Sequence, residues 1–114
     1  VRLQVLAASG WLAGLDALRL PVRHREGWFC IDRGPSNAID GAPALAYAEP
    51  LHGEAGTLAA LSAEEGRVLA MMPHPEAALW ASQAPGWSPL KSAAREPGPG
   101  RALFDNLARQ LRNA

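Results

Sequence analysis

Cysteine is nearly absent from this sequence, since Cys30 is the single cysteine in 114 residues. One cysteine excludes an internal disulfide framework and favours a reducing compartment, so we expect the chain to be cytoplasmic. Cys30 lies between Phe29 and Ile31 in a strand-like run, whereas a nucleophilic cysteine on a tight elbow needs small neighbours. We therefore interpret Cys30 as a buried structural thiol and not as a nucleophile.

Net charge is also absent, because 11 Lys and Arg residues balance 11 Asp and Glu residues. This balance excludes the basic surface that is expected of a nucleic-acid-binding protein. No apolar run approaches the roughly 18 residues of a membrane span, so neither nucleic acid nor a membrane is expected as a partner. The chain starts at Val1 without an initiator methionine or a signal-peptide pattern, and we expect it to be a fragment or an excised domain.

Hydrophobic residues make up 48% of the sequence, as in globular proteins, and they occur in short segments. Val1, Leu3 and Val5 alternate with polar residues, which predicts a half-buried strand. Residues 68–72 are continuously apolar and predict a strand that is buried on both faces. Glu65 and Gly66 predict a hairpin turn before it. A further strand is predicted at residues 28–31 and a bent or edge-like segment at residues 18–22, and short apolar runs lie at residues 44–48 and 57–61.

The last third of the sequence divides into a loop and a helix. Proline and glycine are concentrated in residues 85–100, which predicts an extended surface loop. A terminal helix is predicted over residues 100–113, because Leu103, Leu107 and Leu111 recur at four-residue spacing and form one apolar stripe.

A candidate site directly follows the apolar run, in the sequence Met72-Pro73-His74-Pro75-Glu76. Strand ends are where open α/β sheets place their chemistry. His74 can act as a general base near neutral pH, and Glu76 can accept a hydrogen bond from the imidazole and fix its tautomer. Two residues at this spacing are weak evidence of catalysis, so the spacing alone favours a surface histidine in a proline-bracketed turn and leaves the catalytic interpretation open.

Met-Pro-His-Pro-Glu after an apolar strand resembles the signature of the class I glutamine amidotransferase domain of phosphoribosylformylglycinamidine synthase. The segment Leu-Pro-Val-Arg-His-Arg-Glu-Gly at residues 20–27 is similar to the Leu-Pro-Val-Ala-His-Gly-Glu-Gly segment of that family. Residues 11–15 and the helix start at residues 100–107 resemble further parts of it. The resemblance implies an α/β fold, the flavodoxin-like fold of class I amidotransferases, with residues 1–114 forming the C-terminal part of one domain.

The resemblance also implies hydrolysis of glutamine by a Cys-His-Glu triad, in which His74 is the base and Glu76 orients it. The family's nucleophilic cysteine is expected upstream of Val1, so the chain alone is expected to be inactive. The partner is expected to be a synthetase domain or subunit that uses ATP and Mg²⁺ and takes the ammonia for purine biosynthesis. This chain is expected to bind no cofactor and no metal. The residues expected near the bound glutamine are His24, Arg25 and Glu26.

Two substitutions separate the sequence from the family pattern. Arg25 stands where the family has glycine, and Ala77 stands where arginine usually follows the motif. The family's Asn-Pro-Asn-Gly-Ser loop is faintly matched by residues 49–53. The alternatives are therefore a non-catalytic remnant that serves as an interaction module, and a different class I glutamine amidotransferase. His52 is interpreted as a solvated loop residue, because too few ligands surround it for a metal site.

Overall fold

A computed structural model describes residues 1–23, 41–49 and 58–114 of the chain. The predicted strand at residues 28–31 lies outside the described residues, as do Cys30 and His52. The described elements are five strands, four short 3-10 helices and one α-helix. The strands are β1 (Arg2–Val5), β2 (Ala17–Arg19), β3 (Ala42–Tyr47), β4 (Leu58–Ala63) and β5 (Val68–Met71). The helix is α1 (Arg101–Arg112), and the 3-10 helices are Gly10–Leu12, Glu64–Gly66, Pro75–Ala78 and Ala81–Gln83.

The five strands form one sheet in the order β2-β1-β3-β4-β5, and each pairing between them is antiparallel. Leu3 of β1 lies between Leu18 of β2 and Tyr47 of β3, so the alternating pattern places its apolar residues on one buried face. The pairing of β3 with β4 is irregular after Pro43, consistent with the missing donor of proline.

The tip of the β4–β5 hairpin has an unusual backbone. Glu64, Glu65 and Gly66 all have positive φ, at 52°, 58° and 84°. Glutamate rarely adopts this left-handed region, so the predicted turn is confirmed but is more strained than its sequence indicates. The Arg67 side chain bonds both the carbonyl and the carboxylate of Glu64 and holds the turn closed.

The core lies between the sheet and the segments that cross it, and it consists mainly of leucine and alanine. Its buried members are Leu3, Leu12, Leu18, Leu20, Ala44, Leu45, Tyr47, Ala59, Ala60, Ala78 and Leu103. The prediction that residues 68–72 are buried on both faces is wrong. β5 is the end strand among those described, its exposure alternates along the chain, and Val68 is 52% exposed.

Helix α1 packs against the Gly10–Leu12 and Pro75–Ala78 helices. The predicted apolar stripe is buried in its first half alone: Leu103 is 1% exposed and Leu111 is 69% exposed. Asn106, which the stripe excludes, is 4% exposed because its amide donates to the carbonyls of Trp11 and Ala13 at 2.9 Å. The helix is therefore attached by a polar anchor at the point where its apolar contacts end.

Residues 85–100 contain turns and no regular element apart from an isolated antiparallel bridge between Trp80 and Pro97. Trp87 donates to the Ser92 hydroxyl at 3.1 Å, a bond that lies within this segment. Across the described ranges, no helix is both long and apolar enough to cross a membrane.

Candidate active site

His74 and Glu76 form a direct hydrogen bond at the end of β5. The strand ends at Met71, and His74 precedes the Pro75–Ala78 helix, in which Pro75 takes the first position. Proline fits that position because its fixed φ suits a helix start and its missing N–H is not needed there. The two side chains then meet on the same side, with Nδ1 of His74 2.6 Å from Oε1 of Glu76.

The charge state of Glu76 determines which ring nitrogen of His74 carries the proton. The hydrogen bond to His74 lowers the pKa of the Glu76 carboxyl, and a backbone hydrogen bond within Glu76 and the charge of Arg23 act in the same direction. Near neutral pH the carboxylate is ionised and can act as an acceptor alone, so the proton of a neutral imidazole lies on Nδ1. Nε2 then carries the lone pair that a general base needs.

Both side chains remain accessible to solvent, with 39% of the His74 side chain and 59% of the Glu76 side chain exposed. An exposed ion pair contributes little to stability, so the bond is better suited to orienting the ring than to holding the fold. The arrangement provides an oriented base on an open surface.

The segment after β2 runs beside this pair. The backbone N–H of His74 donates to the carbonyl of Pro21 at 2.9 Å, and the charge of Arg23 acts on Glu76. Residues 72–76 and 20–27 carry the two motifs of the family resemblance, and the described part of the second motif, residues 20–23, lies beside the first. The predicted substrate residues His24, Arg25 and Glu26 lie outside the described residues.

Residues 96–100, which we call the strap, lie antiparallel to the chain after the pair. Three backbone bonds join them: Ala81 N–H to Glu96 at 2.8 Å, Gly98 N–H to Leu79 at 2.8 Å and Gly100 N–H to Ala78 at 2.9 Å. Gln83 lies on the same side, with its amide 3.4 Å from the Glu76 carbonyl. Sequence reasoning missed the strap and Gln83, and only the glycine-proline-glycine sequence at residues 98–100 could have indicated a close backbone approach.

Ala77 occupies the position where the family pattern has arginine, and here it is buried. A cavity of about 590 Å³ lies beside it, lined by residues that include Leu20, Pro21, Ala78, Trp80 and Pro99. His74 and Glu76 are not among the lining residues, so the pair opens to solvent and not into this cavity.

Within residues 1–23, 41–49 and 58–114, no three His, Cys, Asp or Glu side chains are close enough to hold a metal ion together. The described chemistry at the pair is therefore that of a carboxylate and an imidazole, which suits proton transfer.

Known proteins resemble the chain over nearly its full length. Subunit PurQ of phosphoribosylformylglycinamidine synthase from Novosphingobium aromaticivorans is 34% identical over 110 residues, covering 95% of this chain and 43% of that protein. The same subunit from Dehalococcoides mccartyi is 33% identical over 111 residues, covering 87% of this chain and 42% of that protein. The chain thus spans about two fifths of the length of these curated relatives.

The fold has a solved counterpart in the structure of PurLQS from Thermotoga maritima. The two superpose with a TM-score of 0.62 and 22% identity, over 97% of this chain and 46% of that one. This match confirms the predicted fold class, an α/β class I glutamine amidotransferase fold, although the pairings within the described sheet are all antiparallel. The predicted resemblance is confirmed as well, since the model of the CobB/CobQ-like glutamine amidotransferase domain matches residues 1–110. The chain belongs to the CobB/CobQ-like glutamine amidotransferase domain family.

Proposed function

We propose that the chain is the base-carrying part of the glutaminase of phosphoribosylformylglycinamidine synthase, which hydrolyses glutamine and supplies ammonia for purine biosynthesis. The observation that carries the proposal is the 2.6 Å bond between His74 and Glu76 at the end of β5. A carboxylate-oriented imidazole with a free Nε2 is the proton-transfer half of a Cys-His-Glu triad. The relatives at 34% and 33% identity supply the reaction class.

In this proposal His74 moves two protons through Nε2, and each proton is first taken and then given back. It first takes the proton of the cysteine thiol, so that the thiolate can attack the carboxamide carbon of glutamine. It then gives that proton to the departing ammonia, which leaves a thioester. Finally it takes a proton from water as the water attacks the thioester, and it returns this proton to the thiol as glutamate is released. Glu76 stabilises the imidazolium in each charged state.

The remaining parts of the enzyme are assigned outside the described residues. The nucleophilic cysteine is proposed to lie outside this sequence, and the chain alone is proposed to be inactive. His24, Arg25 and Glu26 are proposed to contact glutamine, because residues 20–23 already lie beside the pair. The synthetase partner is proposed to hold ATP and Mg²⁺ and to add the ammonia to formylglycinamide ribonucleotide.

The second candidate is an interaction module that has lost glutaminase activity. Buried Ala77 favours it, because a small apolar side chain occupies a position where the family carries a cation. The cavity beside Ala77 is lined by neither His74 nor Glu76, and so offers a surface for contact without offering a substrate pocket at the pair.

The discriminating experiment compares the two nitrogen sources in the assembled synthetase. His74→Ala should lower glutamine-dependent synthesis by about 10²–10⁴, the usual worth of general acid–base catalysis, and spare synthesis from added ammonia. Glu76→Gln should be milder, because it keeps a hydrogen-bonding group and loses the charge. A parallel fall of both activities would mean that His74 supports the fold or the interface. Unchanged glutamine-dependent synthesis in His74→Ala would exclude His74 as the base, and its absence in the unmodified enzyme would favour the interaction module.

A separate assay measures glutamate release by the 114-residue chain on its own. No turnover is expected, since a base without a nucleophile cannot form the thioester. Turnover at the rate of an intact amidotransferase would place the nucleophile within this sequence and make Cys30 the residue to replace.

A further inference from the structure

The strap lies so close to residues 74–78, which we call the site segment, that no side chain fits between the two backbones. A Cβ built on Gly100 would lie 2.1 Å from the carbonyl oxygen of Pro75, and one on Gly98 would lie 2.4 Å from that of Ala78. Real Cβ atoms essentially never approach this closely, so backbone would have to move in either case. Pro75 is the residue that separates His74 from Glu76, and its displacement would therefore alter their relative position.

Conformation alone does not require glycine at residue 100. Gly100 has φ −72° and ψ −19°, which is the ordinary right-handed helical region that alanine prefers. At such a position alanine usually stabilises a protein, because it restricts the unfolded chain. Glycine is needed at residue 100 because the backbone of the site segment occupies the space that a side chain would fill.

The strap is itself fixed at both ends. Ala81 donates to Glu96 at 2.8 Å, and Gly100 is the N-cap residue of α1. Beside that cap, the Arg101 guanidinium lies 5.2 Å from the centre of the Trp80 ring and bonds Asp105 at 3.0 Å. The strap is therefore a firm support, and it meets the chain within one residue of both His74 and Glu76.

We propose that Gly100 is a positioning residue, which sets the geometry of the His74–Glu76 pair by letting the strap support the Pro75 carbonyl without an intervening side chain. The geometric part of this proposal rests on the structure alone. Its enzymatic consequence rests on the function proposed above. Gly100 does not touch substrate or the reacting atoms. It acts through Pro75, and Gly98 and Pro99 hold it in place.

The test measures the titration of the Glu76 carboxyl carbon by NMR in the 114-residue chain. The charged groups that face this carboxylate among the described residues are His74 and Arg23. Because the bond to His74 lowers the Glu76 pKa, His74→Ala gives the reference for a pair without the bond. Gly100→Ala should raise the midpoint toward that reference, since displacing Pro75 separates the partners.

Gly86→Ala is the matched control. It adds the same methyl group at φ +74°, where no atom of the described residues lies within 4 Å, so it strains the backbone without displacing the pair. Its Glu76 midpoint should equal that of the unmodified chain even though its stability falls. A folded Gly100→Ala variant with an unchanged midpoint would overturn the proposal, and so would an equal shift in Gly86→Ala.

Pro99→Gly covers the case in which Gly100→Ala does not fold. It loosens the strap without adding an atom, and it should move the midpoint part of the way to the His74→Ala value. No movement in a folded Pro99→Gly chain would then overturn the proposal.

The enzymatic arm uses the assembled synthetase. There Gly100→Ala should lower glutamine-dependent kcat on the order of 10²-fold, leave KM for glutamine little changed and spare the ammonia reaction. If unmodified enzyme uses no glutamine, the proposed function fails while the titration still decides the positioning role.

Discussion

Two regions of this molecule each contain a close backbone contact at a glycine, and the two glycines are required for different reasons. A Cβ on Gly10 would lie 1.9 Å from the carbonyl oxygen of Gly66, and one on Gly100 would lie 2.1 Å from that of Pro75. The first contact joins the hairpin tip to the Gly10–Leu12 helix, and the second joins the strap to the site segment. Gly10 also needs its left-handed φ of +56°, whereas Gly100 needs space alone.

The surroundings of Gly10 explain the difference. Trp11 donates to the carbonyl of Arg67 at 2.9 Å and meets the Phe104 ring edge to face at 6.2 Å. Asn106 completes this group, which we call the tip junction, by binding the carbonyls of Trp11 and Ala13. Each described contact at the tip junction is structural, whereas the strap contact adjoins an imidazole and a carboxylate. Similar packing therefore lies within a structural group in one region and beside the candidate site in the other.

Breaking the tip junction should give the largest loss of stability. Gly10→Ala forces a left-handed alanine at about 1–2 kcal/mol and overpacks the contact at about 1–3 kcal/mol, so the free energy of unfolding should fall by about 2–5 kcal/mol. Urea unfolding measures this change. The Glu76 midpoint of the folded variant should not move, because the tip junction does not adjoin the pair. A moved midpoint would mean that the two regions are coupled, and the distinction between them would fail.

Removing the polar anchor of α1 should have an intermediate effect. Asn106→Ala leaves the carbonyls of Trp11 and Ala13 without their donor, at a cost of about 1–3 kcal/mol in the free energy of unfolding. Gln110→Ala, one turn further along the helix, is the matched control and should change stability by about 0.5 kcal/mol or less. Equal losses in the two variants would show that the hydrogen bonds of Asn106 do not attach α1, since alanine raises helix propensity at both positions.

Tyr47→Phe should have the smallest effect and the opposite sign. The Tyr47 hydroxyl is buried without a hydrogen-bond partner among the described residues, so its removal should stabilise the fold by about 1 kcal/mol. Burial raises the pKa of Tyr47 above its ordinary 10.0. The protonated phenol therefore contributes its full share of the folding stability below pH 10.0, and this share is lost as pH rises through the pKa of Tyr47 in the folded state. Alkaline unfolding of the variant should therefore occur at higher pH. A loss of stability at neutral pH would reveal a partner in residues 24–40 or 50–57.

The sequence predicted the local elements better than their surroundings. Alternation in residues 1–5 and the turn formers Glu65 and Gly66 report local backbone geometry, and the structure agrees with both. The apolar run at residues 68–72 predicted a strand correctly and its burial wrongly, because exposure depends on the position of the strand in the sheet. Leu111 is exposed for a similar reason, since none of the described elements covers its side chain.

The candidate site was predictable where a motif joined adjacent residues. His74 and Glu76 lie two residues apart, so their hydrogen bond follows from one short turn. Their catalytic role remains a prediction, as does the role of residues 24–26. The strap could not be predicted, because Gly100 and Pro75 are 25 residues apart and nothing in either segment specifies the other. Such a contact can be recognised only when the positions of both backbone segments are known.

The Asn106 anchor also has a consequence for the order of folding. It joins residues that are 95 and 93 positions apart, so it closes a loop of nearly the whole chain. Such a contact forms late, because the loop entropy is lost before the bond is gained, and it contributes to slow folding. During synthesis, Trp11 and Ala13 leave the ribosome long before Asn106 does. The tip junction is therefore completed only after α1 has been made.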